Sequence, residues 1–148
     1  MVKTKILWVD DEVELLKPHI IFLEEKDFLI TTSNNGSDAI ELIKDENFDA
    51  VLLDENMPGL NGIETLAIMK EIDSNIPIIM ITKSEEEKIM DDAIGNKISD
   101  YLIKPVNPKQ ILLSLKKNLN NLEIISDKTI SGYQQEFRNI SLELSGID

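Results

Sequence analysis

Short blocks of consecutive apolar residues punctuate this chain, and longer segments of mixed polarity separate them. The blocks are ILWV at 6–9, FLIT at 28–31, AVLL at 50–53, IPIIMI at 76–81 and YLI at 101–103. Their brevity and β-branched content predict strands. Continuous rather than alternating hydrophobicity predicts a sheet covered on both faces. The intervening segments predict helices at 12–26, 36–46, 61–72, 84–95 and 107–121. Strand–helix alternation repeated in this way specifies an α/β fold with a doubly wound parallel sheet.

Local signals refine the element ends. Asn107 followed by Pro108 fits an N-cap and a first-turn proline. Ser37, followed by Asp38, Ala39 and Ile40, is read as the start of the second helix. Glu85, Glu86 and Glu87 are read as a solvated first turn of the fourth, favoured by the helix dipole. Pro18 is the misfit, because inside the first helix it would remove one hydrogen bond and kink the element. Met57 and Met80 are read as packing residues, and His19, the single histidine, as a partly exposed helix residue without a chemical role.

The five βα units account for residues 1–121, leaving 122–148 as a helical extension or linker. Ile130, Tyr133, Phe137, Ile140 and Leu144 are spaced 3, 4, 3, 4, the stripe of an amphipathic helix. Leu112, Leu115, Leu119 and Leu122 continue a similar stripe past the fifth helix. Such stripes need a partner surface, either the domain's own flank or a second chain. The chain closes on SGID, and a further domain is expected beyond it.

Composition narrows the function. The 148 residues suit one domain with a sizeable core plus an appendage. No apolar stretch approaches the ~20 residues of a membrane span, and no signal-peptide pattern opens the chain. The absence of cysteine excludes disulfides, thiolate metal sites and a cysteine nucleophile; cytoplasm is the expected compartment. With 28 acids against 15 bases the formal net charge is −13. That balance argues against direct nucleic-acid binding and against anionic membranes.

The candidate chemistry lies at the strand ends. In a five-stranded parallel sheet of the flavodoxin-like order 2-1-3-4-5, with helices on both faces, ligands sit beyond the carboxyl ends of strands 1 and 3. Strand 1 runs into Asp10, Asp11 and Glu12, strand 3 ends at Asp54, strand 4 at Thr82 and strand 5 at Lys104. Topology alone gathers these side chains on one edge of the sheet. Like-charged carboxylates ~4 Å apart cost roughly 1–4 kcal/mol per pair, so either a cation neutralises them or a pKa rises. An all-oxygen donor set suits Mg²⁺ or Mn²⁺, and Mg²⁺ commonly takes a substrate phosphate as well. Lys104 beside the Thr82 hydroxyl would cradle phosphoryl oxygens, with Asp54 as the attacking carboxylate that forms an acyl phosphate.

The motifs ILWVDDE (6–12), LLDENMPGLNG (52–62), IIMITK (78–83) and YLIKPV (101–106) resemble those of response-regulator receiver domains of two-component systems. The resemblance spans residues 3–121. It implies that Asp54 accepts a phosphoryl group from a sensor histidine kinase. It further implies Mg²⁺ bound by Asp11, Asp54 and the Asn56 carbonyl, with Asp10 acting through water. Thr82 and Lys104 would hold the phosphoryl oxygens, the Lys104–Pro105 peptide would be cis, and Thr82 with Tyr101 would form the switch pair. The implied readout is a changed surface on the fourth helix, fifth strand and fifth helix, commonly a homodimer. Residues 132–144, GYQQEFRNISLEL, resemble the helical linker of PorX-like regulators, which carry an alkaline-phosphatase-superfamily effector and are associated with type IX secretion.

One position departs from the receiver pattern. The residue after the switch threonine is usually small, and here it is Lys83, read either as a modulator of access to Asp54 or as a solvated lysine. Two other functions remain in view. An Asp-nucleophile phosphatase needs a second aspartate as general acid soon after the nucleophile, where this chain offers Asn56. A receiver-like module that binds partners without phosphorylation would keep the fold and not the chemistry.

Overall fold

The computed structural model describes residues 3–83 and 85–126, with side chains described as far as 119. The chain divides into two compact units, Met1–Ser114 and Leu115–Asp148. The stripe expected at 130–144 and most of the 122–148 extension lie outside the described residues.

In the first unit, β1 (Thr4–Val9), a 3-10 turn (Val13–Leu16), α1 (Lys17–Glu24), β2 (Phe28–Ser33), α2 (Gly36–Asp45) and β3 (Ala50–Asp54) come first. They are followed by α3 (Gly62–Ile72), β4 (Ile78–Thr82), α4 (Glu87–Gly95), β5 (Asp100–Ile103) and α5 (Pro108–Ser126). The last turns of α5 belong to the second unit. The strands form one parallel sheet in the order β2-β1-β3-β4-β5, as expected.

Both faces of the sheet are covered, and the two-residue strand period sorts the side chains between them. Leu7 and Val9, Val51 and Leu53, and Ile78 and Met80 join a core with Ala39 and Ile40 of α2, Leu66 and Met69 of α3 and Ala93 of α4. Their neighbours Ile6, Trp8, Leu52, Ile79 and Ile81 are equally buried on the opposite face, where the Trp8 ring meets His19 of α1. The double cover explains why β3 and β4 read as unbroken apolar runs: every residue in each is buried.

The structure corrects several boundaries. The first helix does not run through Pro18. A 3-10 turn precedes it, α1 begins at Lys17, and Pro18 sits in its first turn. A first-turn N–H has no intrahelical acceptor, so the proline forfeits nothing there. The second helix is capped by Asn35, two residues before Ser37, and the Asn35 side chain accepts from the Asp38 N–H. Helix α4 begins at Glu87, so Glu85 and Glu86 precede it and only Glu87 lies in the first turn. Strand β4 starts at Ile78, after Pro77, which lacks an N–H for the ladder but whose carbonyl accepts from the Val51 N–H at 2.9 Å. Asn107 does cap α5, in a reciprocal pair with Gln110 (3.0 and 3.1 Å), and the helix runs on past 121 to Ser126.

Candidate functional site

Strand register builds the site. Val9 pairs with Leu53, so the next residues stand side by side: Asp10 just past the end of β1 and Asp54 as the last residue of β3. Thr82 pairs with Ile103, so Lys104 emerges next to the end of β4, and its N–H donates to the Thr82 carbonyl at 2.8 Å. The loop after Asp54 is folded back sharply. Gly59 has φ +79°, a left-handed conformation that glycine adopts without strain. The Gly62 N–H then donates to the Glu55 carbonyl at 2.8 Å. A Cβ on Gly62 would collide with the Asp54 carbonyl and Glu55 Cα, so α3 can start this close to the strand end only with glycine there. Asn61 and Glu64 close a capping box over the helix start, with bonds of 2.9 and 3.0 Å.

Three carboxylates and one ammonium meet at this edge. Lys104 Nζ lies 3.0 Å from Asp10 Oδ2 and 3.4 Å from Asp54 Oδ1. The other Asp10 oxygen accepts from the Glu12 N–H at 2.8 Å. Asp10 and Asp54 are buried while Asp11 faces solvent, and one carboxylate oxygen of each lies within 4.8 Å of the others. Burial, with the Asp10 charge behind it, pushes the Asp54 carboxyl up from 3.8 to about 6, against the opposing pull of Lys104 and the Asn56 N–H. Burial works to lower the Lys104 pKa, but hydrogen bonding to Asp10 and the two carboxylate charges prevail and hold the ammonium above its ordinary value.

This donor set fits a small hard cation. Every candidate ligand is oxygen, none is imidazole or thiolate, and the negative charge exceeds what one lysine neutralises.

The remaining predicted residues are arranged around this cluster. Thr82 is buried at the end of β4. Lys83 is exposed and lines, with Asp10, Glu12 and Lys104, a cleft of about 380 Å³ beside the carboxylates. Asn56 is exposed on the loop after β3. Tyr101 stands apart from the acidic pocket: it pairs with Met80, two positions before Thr82, and packs against the core. Burial raises its phenol pKa, and Glu55 and Glu86 add to that. The Lys104–Pro105 peptide is cis.

His19 has more to do than its sequence suggested. Its ring is partly buried, Nε2 lies 2.9 Å from the Val106 carbonyl, and the ring meets Trp8 edge-on at 6.3 Å. No local pattern marks this, because the hydrogen bond joins residues 87 apart in sequence.

The family model described as "Response regulator receiver domain" matches residues 6–116. Among curated relatives, a transcriptional regulatory protein CpxR homolog of Haemophilus influenzae is 36% identical, over 83% of this chain and 58% of its own. Transcriptional regulatory protein ResD of Bacillus subtilis is also 36% identical, over 77% of this chain and 47% of its own. This chain therefore spans about half the length of these relatives. Among solved structures, a CheY-like response regulator receiver domain protein of Methanospirillum hungatei superposes with TM-score 0.78 at 25% identity, covering 82% of this chain and 97% of its own. A CheX–CheY complex from Borrelia burgdorferi, solved with BeF₃ and Mg²⁺, superposes with TM-score 0.72 at 28% identity, covering 77% and 87%.

Proposed function

Because the chain belongs to the response regulator receiver domain family, we propose that it takes a phosphoryl group from a sensor histidine kinase onto Asp54 and switches an interaction surface in response. The supporting observation is the cluster at the sheet edge: three carboxylates within 4.8 Å of one another and a lysine 3.0 and 3.4 Å from two of them.

Each residue has a role in the transfer. An Asp54 carboxylate oxygen attacks phosphorus as the P–N bond of the kinase phosphohistidine breaks, and the bonding pair returns to the imidazole nitrogen. Rigid strand ends hold Asp54 for that attack, so little ordering is needed at the moment of reaction. The Lys104 ammonium moves from Asp54 to a phosphoryl oxygen, and the Thr82 hydroxyl donates to another. Asp11, Asp54 and the Asn56 carbonyl would hold Mg²⁺ or Mn²⁺, with Asp10 acting through water. The cation, when bound, supplies the positive charge that offsets the phosphoryl oxygens. Asn56 offers no general acid, so the acyl phosphate persists as a signal instead of turning over as in a phosphatase. Lys83, at the mouth of the cleft, narrows the approach to Asp54 and slows hydrolysis.

The output is a population shift. A phosphoryl group at Asp54 changes charge and hydrogen bonding beside Thr82, and the Thr82–Tyr101 pair favours one arrangement of the α4, β5 and α5 surface. That surface forms a homodimer and controls an output domain outside these residues. The curated relatives are by name transcriptional regulatory proteins, but the net charge of −13 assigns no nucleic-acid contact to this segment. The resemblance of residues 132–144 to PorX-like linkers supports a phosphatase-superfamily effector as the output, in control of type IX secretion. Among the described residues no helix is long and apolar enough to cross a membrane, and a kinase partner places the domain in the cytoplasm.

Borohydride reduction after incubation with phosphoramidate and Mg²⁺, followed by peptide mapping, tests the acceptor. Reduction is expected at position 54, and modification at any other aspartate would overturn the assignment. Sizing of the same samples is expected to show a shift toward dimer.

A further inference from the structure

Lys104 can serve the transfer only if its ammonium is held against Asp10 and Asp54, and that depends on the short segment linking β5 to α5. The segment has few anchors. The Lys104 N–H is bonded to the Thr82 carbonyl at 2.8 Å. Pro105 has no N–H to offer. Asn107 is committed to Gln110 in the cap of α5. The Val106 carbonyl is held from across the molecule by His19 Nε2, at 2.9 Å. A carbonyl can only accept, so Nε2 carries the proton.

His19 is itself braced. Its ring stands edge-on to Trp8, at 76° and 6.3 Å, and Trp8 is 1% exposed in the middle of the sheet. Trp8 lies in β1, two residues before Asp10, which follows directly on that strand. The imidazole thus ties the strand carrying Asp10 to the loop carrying Lys104, the two arms of the 3.0 Å ion pair. All these groups line the same 380 Å³ cleft. The ring's other nitrogen, Nδ1, is buried with no hydrogen-bond partner among the described residues. A buried acceptor without a partner is unfavourable, so the ring position is set by the Val106 bond and the Trp8 contact.

We propose that His19 is a positioning residue for phosphoryl transfer: its Nε2–H, donated to the Val106 carbonyl, holds the Lys104 loop so that the ammonium meets the phosphoryl oxygens. The proposal rests on the reading of Asp54 as phosphoacceptor. It separates two properties of the site. Mg²⁺ binding uses the carboxylates at the ends of β1 and β3, which the loop does not carry. The transfer needs Lys104, and displacement of a catalytic group by about 1 Å can cost up to 100-fold in rate.

The test is phosphorylation of the full chain by acetyl phosphate, followed by intact mass, with Mg²⁺ affinity from Trp8 fluorescence, the only tryptophan signal. His19→Met and His19→Leu keep an apolar body near Trp8 and remove the donor. His19→Gln restores an N–H at similar reach. Transfer is expected to slow about ten-fold in the Met and Leu variants, with Mg²⁺ affinity equal to or tighter than that of wild type, because a displaced Lys104 competes less for Asp10 and Asp54, and with the rate largely recovered in His19→Gln. Wild-type rates in folded His19→Met or His19→Leu would overturn the proposal. So would equal slowing in His19→Gln, or a parallel loss of Mg²⁺ affinity, since either would mark a purely structural role. If neither donor-less variant folds, the proposal stands on His19→Gln and falls if that folded variant is as inactive as Asp54→Asn. A wild-type protein that takes no phosphoryl group at Asp54 would overturn the underlying reading, and this proposal with it.

Discussion

Replacing Asp54 with asparagine should make the metal-free protein more stable, although it removes the proposed phosphoacceptor. The buried carboxyl titrates near 6 instead of 3.8, because burial and the Asp10 charge outweigh Lys104. Asparagine imitates the protonated carboxyl and has nothing to ionise. A folded-state pKa above the unfolded one favours the fold below pH 3.8, and that advantage is lost as the pH rises through about 6. At roughly 1.4 kcal/mol per pH unit, the interval from 3.8 to about 6 corresponds to a penalty of about 3 kcal/mol above pH 7. Urea unfolding in chelator should show wild type and Asp54→Asn alike near pH 4. The variant should then gain steadily, to about 3 kcal/mol by pH 7, or about 6–12 °C in Tm for a domain of this size. Carboxylates remote from Asp54 are common to both proteins and cancel in the difference. Millimolar Mg²⁺ should close the gap, because the wild type binds it more tightly and is stabilised by linkage. A gap that does not vary between pH 4.5 and 8, or a variant less stable than wild type at pH 7, would refute the reasoning.

Other substitutions probe the frame around the site. Gly62→Ala drives a methyl into the Asp54 carbonyl and Glu55 Cα; a loss of about 1–3 kcal/mol in urea unfolding is expected, and a loss below 0.5 kcal/mol would show that the loop yields easily. Asn61→Ala breaks the capping box of α3 and should cost about 1 kcal/mol, a value that unchanged stability would contradict. Lys104→Ala removes the cation that competes for Asp10 and Asp54, so Mg²⁺ should bind roughly five- to ten-fold more tightly; fluorescence titration showing weaker binding would reverse that assignment.

The parts of the fold that could be read from sequence are those where one physical constraint acts alone. β3 and β4 are buried on both faces, so their apolar runs admit few other readings. The parallel topology then brings Asp10, Asp54, Thr82 and Lys104 to one edge, and register supplies the remaining detail. Element starts were harder, because capping competes among neighbours. Asn35 outbids Ser37 as the cap of α2 since its side chain reaches the Asp38 N–H at 2.8 Å. The 3-10 turn at Val13–Leu16 delays α1 enough to turn Pro18 from a helix breaker into a first-turn residue. The His19–Val106 bond left no sequence signal at all. It depends on how α1 lies beside the loop after β5, which only the packed structure defines.

The central claim, that Asp54 is a cation-dependent phosphoacceptor, is tested most directly by intact mass after incubation with acetyl phosphate. Wild type and Asp54→Asn would be compared with Mg²⁺ and with chelator. One phosphoryl adduct on wild type in Mg²⁺, absent in chelator and absent from the variant, is the expected result. A folded wild-type protein that binds Mg²⁺ yet carries no adduct, or an adduct that survives in Asp54→Asn, would contradict the account.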